Sequence, residues 1–154
     1  MQRSQTSDSH TANSSPSITN TACFAASRII AQTLFGLNNF VCDVCESRTD
    51  VADITGILQS LNDAVGLLKD NAHGLPPTLA RLTPTMLDGG CSIIEELNGC
   101  IMVLGRNGIP LGEKKARWFA SRDHIGKLVN TLVVYKAVIR LVLDLIAASV
   151  SMLK

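Results

Sequence analysis

Between Ala26 and Val44 the apolar side chains Ala26, Ile30, Leu34, Leu37, Val41 and Val44 recur at steps of four and three. That spacing lines one face of a helix and is incompatible with the every-second-residue alternation of a strand, so it predicts a first helix over about 18–46. A second stripe, Val51, Ile54, Leu58, Leu61, Val65 and Leu68, follows Thr49 and Asp50. Either of those side chains can accept the unpaired amide hydrogens of a first turn, which predicts a second helix over about 50–70. Asn71, Gly74, Pro76 and Pro77 then interrupt the pattern, because Gly favours a helix stop and Pro cannot continue one.

Leu87, Cys91, Ile94, Leu97, Ile101 and Leu104 form the third stripe, with Pro84 placed as a first-turn residue. Gly89 and Gly90 inside it each cost about 1 kcal/mol relative to Ala, and Ser92 with Glu95 has the spacing of a capping box. The expectation is a helix over about 84–104 with a weak point or break near Gly89. Gly105, Asn107, Gly108, Pro110 and Gly112 predict a loop. The longest stripe, Ile125, Leu128, Leu132, Tyr135, Ile139, Val142 and Ile146, predicts a fourth helix over about 121–153. Residues 1–17 offer only Met1 and Ala12 to a core and are expected to form a disordered Ser/Thr-rich tail. Four long helices with short connections and no strand-like segment predict an all-α four-helix bundle over residues 18–154.

Composition narrows this to a single apolar domain. The chain has 154 residues, 46% hydrophobic and 18% charged, with mean hydropathy +0.24, which excludes global disorder and a multidomain enzyme. A membrane span is not expected: Lys127, Lys136, Arg140 and Asp144 interrupt the fourth helix. Residues 29–42 carry no charge, but Gln32, Asn38 and Asn39 keep that window short of a span. A formal net charge of +1 removes any bulk-charge case for nucleic-acid binding. Charge is nonetheless divided, with net −4 from Asp43 to Asp70 and net +4 from Arg106 to Lys127. The simpler reading is two solvated faces that attract one another within the fold; the other is a lipid or partner site.

Five cysteines, an odd number, without a basic-then-apolar leader predict a reducing, cytoplasmic setting and not a disulfide framework. The Ser-rich tail resembles a transit peptide in composition, but Arg3 and Arg28 are the only arginines near it. Cys42 and Cys45 form CDVC, half of a zinc or redox motif, with no second CxxC or HxxxH to complete it. Buried helix cysteines are the simpler reading. His10, His73 and His124 lack a nucleophile and an acid at motif spacing. Glu95 and Glu96 are neighbours, so they point about 100° apart on a helix. The glycine-rich loop before Gly112 lacks the GK[ST] ending of a phosphate cradle. No catalytic residue, metal ligand, cofactor or small-molecule substrate is therefore expected. One cluster does suggest contact with something outside the bundle: Lys114, Lys115, Arg117 and Arg122 beside Trp118. It reads either as a membrane-interface patch or as a basic loop that Trp118 anchors onto the helices.

Three segments carry a family resemblance: VADITGILQSLNDAVGLL, MLDGGCSIIEELNGCIMVL with Cys91 inside it, and KKARWFASRDHIGKLVNTLVVYK, in which Trp118 precedes the fourth stripe. Over roughly residues 20–150 the chain resembles the fungal N-terminal domain found ahead of NACHT and ankyrin modules in STAND (NLR-like) receptors, within the HeLo-like group of helical bundles. Two features depart from that pattern. Family members commonly begin with a Gly- and Val-rich amphipathic first helix near the initiator Met, whereas Ile18 follows a polar tail, and the family domain usually precedes a larger receptor, whereas this chain ends at Lys154. A stand-alone copy or a truncated receptor is the expectation. The resemblance implies a non-enzymatic signalling effector in cell death or non-self recognition that associates with itself and acts at the membrane on activation. A soluble adaptor that docks another helical protein is the alternative.

Overall fold

Each of the four apolar stripes becomes the inward face of a helix. The computed structural model describes residues 15–44 and 47–153, with α1 at Ser15–Asp43, α2 at Arg48–Asp70, α3 at Pro77–Leu104 and α4 at Leu111–Met152. A single 3₁₀ turn, Ala72–Gly74, lies between α2 and α3. No strand occurs among the described residues, and the fold is an all-α four-helix bundle. Of the expected tail, residues 1–14 lie outside the described residues, while Ser15 to Ser17 form the first turn of α1.

The helices are arranged as a square. α1 packs against α2 and α3, and α4 packs against the same two, leaving α1 and α4 on one diagonal and α2 and α3 on the other. Directions follow from individual contacts. Gly36 of α1 lies against Ile101 of α3, and Ala26 shares an apolar cluster with Gly90 and Cys91, so α1 and α3 run parallel. Gly89 of α3 meets Tyr135 of α4 and Glu96 meets His124, which makes that pair antiparallel. The connection through Ala72–Gly74 carries the chain across the diagonal, where Gly74 packs beneath Ile146 of α4.

Heptad spacing governs all four seams. On α1 and at the residue that follows it the seam is Thr19, Cys23, Ala26, Ile30, Thr33, Leu37, Phe40 and Val44, with buried Ala22 beside it; on α3 it is Ala80, Thr83, Leu87, Gly90, Ile94, Leu97, Ile101 and Leu104. Both alternate strictly by four and three, the 3.5-residue period that keeps one seam facing its neighbours over many turns. α2 buries Val51, Ile54, Leu58, Leu61, Val65 and Leu68 with Ala64 beside them, the full expected stripe. α4 buries Ile125, Leu128, Leu132, Ile139, Val142 and Ile146, with Tyr135 half-buried. Burying one such Leu or Ile is worth about 1.5–3 kcal/mol, so no helix satisfies its stripe without the other three.

α1 is shifted by about three residues from the expected 18–46, and two boundaries differ by more than that. α3 begins at Pro77, not near Pro84, and runs without a break through Gly89 and Gly90. Pro77 occupies the first turn, where a missing amide hydrogen is harmless, and Pro84 is carried inside the helix. α4 begins at Leu111 behind Pro110, so the basic stretch is helical and not a loop. At about 1.5 Å per residue its 42 residues extend for roughly 63 Å. The antiparallel register of Gly89 with Tyr135 sets α3's start at Pro77 level with about Ile146, and the last turns of α4 pass beyond the bundle.

Candidate interaction surface

Folding the basic stretch into α4 decides where its side chains go, because successive positions on a helix diverge by about 100°. Trp118 turns inward and is 2% exposed. It meets Phe40 of α1 across the diagonal, ring centroids 5.2 Å apart and planes tilted by 39°, closing the end of the core. Lys114, one turn earlier, is also buried. Arg117 points to the α3 side and pairs with Glu113 on its own helix. Arg122 points to the α2 side, where its guanidinium donates to Asp50 Oδ1 at 3.0 Å. Lys115 is half-buried. The five residues expected to form one patch are therefore divided among the core and two flanks. Trp118 in particular is an anchor of the bundle and is not offered to an interface by the folded chain.

The Asp50–Arg122 pair joins the acidic and basic stretches directly, with Arg122 half-exposed and Asp50 partly covered. Asp53, Asp123, Lys127 and Asn130 border the same shallow groove between α2 and α4, floored by Trp118, Ile54, Ile125 and Val129. Exposed pairs of this kind contribute about 0.2–1 kcal/mol, enough to align the two helices but not to lock them. His124 and Glu96 make a similar exposed contact between α4 and α3, Nε2 to Oε1 3.0 Å.

The described cysteines are dispersed. Cys23 sits in the α1 seam, and Cys91 and Cys100 are half-buried on α3. Burial pushes the Cys23 thiol up to about 11, an effect that nearby Lys69 partly offsets. Cys91 and Cys100 are also raised, first by burial and then by the carboxylates of Asp88 and Glu95 for Cys91 and of Glu96 for Cys100. Raised thiols hold little thiolate, the form that attacks electrophiles or binds metal. Among the described residues no group of three His, Cys, Asp or Glu side chains converges on a point that could hold a metal ion. Cys45, the side chain of Cys42, and His10 lie outside the described residues, so the CDVC pair has no structural account here.

A surface that the sequence reading missed lies on the outer side of α4. Val134, Val138, Leu141, Leu145 and Met152 are 61%, 39%, 59%, 44% and 91% exposed, and with exposed Ala148 they again step by four and three. This second stripe lies roughly 130° around the helix from the buried one. Leu82 of α3, 58% exposed, stands seven residues before Gly89, level with Val142 in the antiparallel register. The signal was present in the sequence as a helix with too many apolar positions for one seam. No described helix is long and apolar enough to cross a membrane. No protein-family model, curated protein or solved structure matches the chain.

Proposed function

We propose that the chain is a non-enzymatic signalling or effector bundle that works by docking helix against helix, with itself or with another helical protein. The outer stripe of α4 carries this reading: six positions in heptad register, from Val134 to Met152, left open on a helix whose inner seam is already filled. The largest apolar patch of a monomer is often a functional surface, and an apolar heptad is what a partner helix recognises. The resemblance to fungal STAND N-terminal domains supplies the setting, cell death or non-self recognition in the cytoplasm. A display library of amphipathic helices, selected on the native chain, tests the means. The expected enrichment is for apolar heptads that lose binding to a Leu141→Lys/Leu145→Lys variant. Helices that bind both forms equally overturn the reading.

A second reading, membrane attachment on activation, keeps one specific support. Leu111, Lys115, Phe119 and Arg122 share a face of α4, with Leu111 and Phe119 50% and 59% exposed. Phe119 thus takes the interfacial role first expected of Trp118. Bases beside an exposed aromatic are suited to an anionic lipid surface, and Asp50 is an internal competitor for Arg122.

A further inference from the structure

The α4 stripe can be assigned an occupant. We infer that it is a two-fold interface between two copies of this chain, α4 against α4; the inference rests on the helix-docking reading and names its partner. Three observations carry it.

The composition of residues 1–14 is poorly matched to the stripe. Residues 1–14 contain only Met1 and Ala12 as apolar side chains, so an intramolecular strap would leave Val134, Val138, Leu141 and Leu145 facing polar groups. A second copy, by contrast, brings an identical heptad, and an isologous contact about a two-fold axis matches the stripe to itself.

The area fits. The exposed fractions of Val134, Val138, Leu141, Leu145 and Met152 amount to roughly 500–600 Å² per copy, so full burial of the stripe in a pair removes up to about 1,100 Å² from water, the size of a weak, reversible interface. Leu82, at the same level on α3, adds to the patch from its edge.

Shape provides the third observation. Because Gly74 closes the bundle end beneath Ile146, the turns from Ala147 to Leu153 project past α3's start, with Met152 and Leu153 91% and 88% exposed. Ala147 and Val150 border a groove with Leu67 and Asn71 of α2, whereas Ala148 and Met152, on the stripe, do not line that groove and are covered when a second α4 lies alongside.

Sedimentation equilibrium over about 1–200 µM is the test. The native chain is expected to dimerise with a micromolar dissociation constant, as an interface of this size allows. Leu141→Lys/Leu145→Lys is expected to weaken the dimer by at least about tenfold while helical circular dichroism is kept. Leu141→Ala/Leu145→Ala, which preserves helix propensity, is expected to fall between the two. Phe24→Ala, on the opposite helix α1 and 64% exposed, is expected to change nothing. A native chain that stays monomeric throughout overturns the inference, as does a dimer that survives either α4 variant at native strength or is weakened equally by Phe24→Ala. A monomeric chain that still selects displayed helices through Leu141 and Leu145 overturns only the second copy. One that does neither removes the docking reading as well.

Discussion

Gly89 and Gly90 lie mid-helix because a tyrosine occupies the space their side chains would need. A Cβ on Gly89 would stand 2.5 Å from the Tyr135 hydroxyl and 3.4 Å from its ring, and one on Gly90 would touch the ring at 3.4 Å. The glycines thus trade helix propensity, about 1 kcal/mol each, for close approach of α3 to α4, and the contact holds the helix continuous where the sequence suggested a break. Only the hydroxyl overlaps badly at Gly89, so Gly89→Ala alone is expected to destabilise the fold by about 1–2 kcal/mol, the lower part of the usual range for overpacking. In a Tyr135→Phe background the same change is expected to be neutral or stabilising by up to about 1 kcal/mol. Urea denaturation of the four proteins measures the coupling. An unchanged effect of Gly89→Ala in the two backgrounds would remove the close-approach account.

At the scale of elements, legibility followed the chemistry of each seam. α2 was readable throughout because six of its seven buried positions are Val, Ile or Leu, the seventh being Ala64. α1 was readable in period but not in membership: its seam also contains Thr19, Cys23, Thr33 and Phe40, while Leu34 and Val41 are only half-buried. Thr33 can be buried there because its hydroxyl donates a hydrogen bond to the Ile29 carbonyl at 2.9 Å, and polarity alone conceals that. α3's first turns were missed because Pro84 reads as a start, and α4's because glycine and proline before it masked a helix that Trp118 and Lys114 anchor. The candidate contact residues, expected as one patch, are divided among the core and two flanks because the segment that carries them is helical. Pro84 leads to a direct expectation. It cannot donate to the Ala80 carbonyl one turn earlier, and an internal proline disfavours a helix by about 3 kcal/mol relative to Ala. Because Pro84 is already accommodated by its surroundings, Pro84→Ala is expected to raise stability by about 1–3 kcal/mol. Thermal and urea unfolding followed by circular dichroism read this directly; a loss of stability would mean that the proline is required by the packing of α3.

For the whole molecule, the decisive feature is that the bundle's opposite charges already meet each other. Arg122 is held by Asp50, with Asp53 and Asp123 on the same groove, whereas Asp63 is exposed further along α2. On the membrane-attachment reading, an anionic membrane would have to compete with α2 for the bases at the start of α4. Each base near an anionic surface contributes about 1 kcal/mol, and removing Asp50 and Asp53 frees Arg122 and takes two like charges from the approaching face. Asp50→Asn/Asp53→Asn is accordingly expected to increase binding to phosphatidylserine vesicles by about 5–30-fold at low salt. Lys115→Gln/Arg122→Gln is expected to reduce it by a similar factor, and Asp63→Asn to have a smaller effect. Neutral vesicles should show none of these differences, and raising salt should compress all of them, since exposed charges are screened within about 10 Å at 0.1 M. Co-sedimentation distinguishes the outcomes. Binding that ignores salt, lipid charge and both sets of substitutions would eliminate the electrostatic mechanism, leaving the α4 stripe as the surface through which the bundle acts.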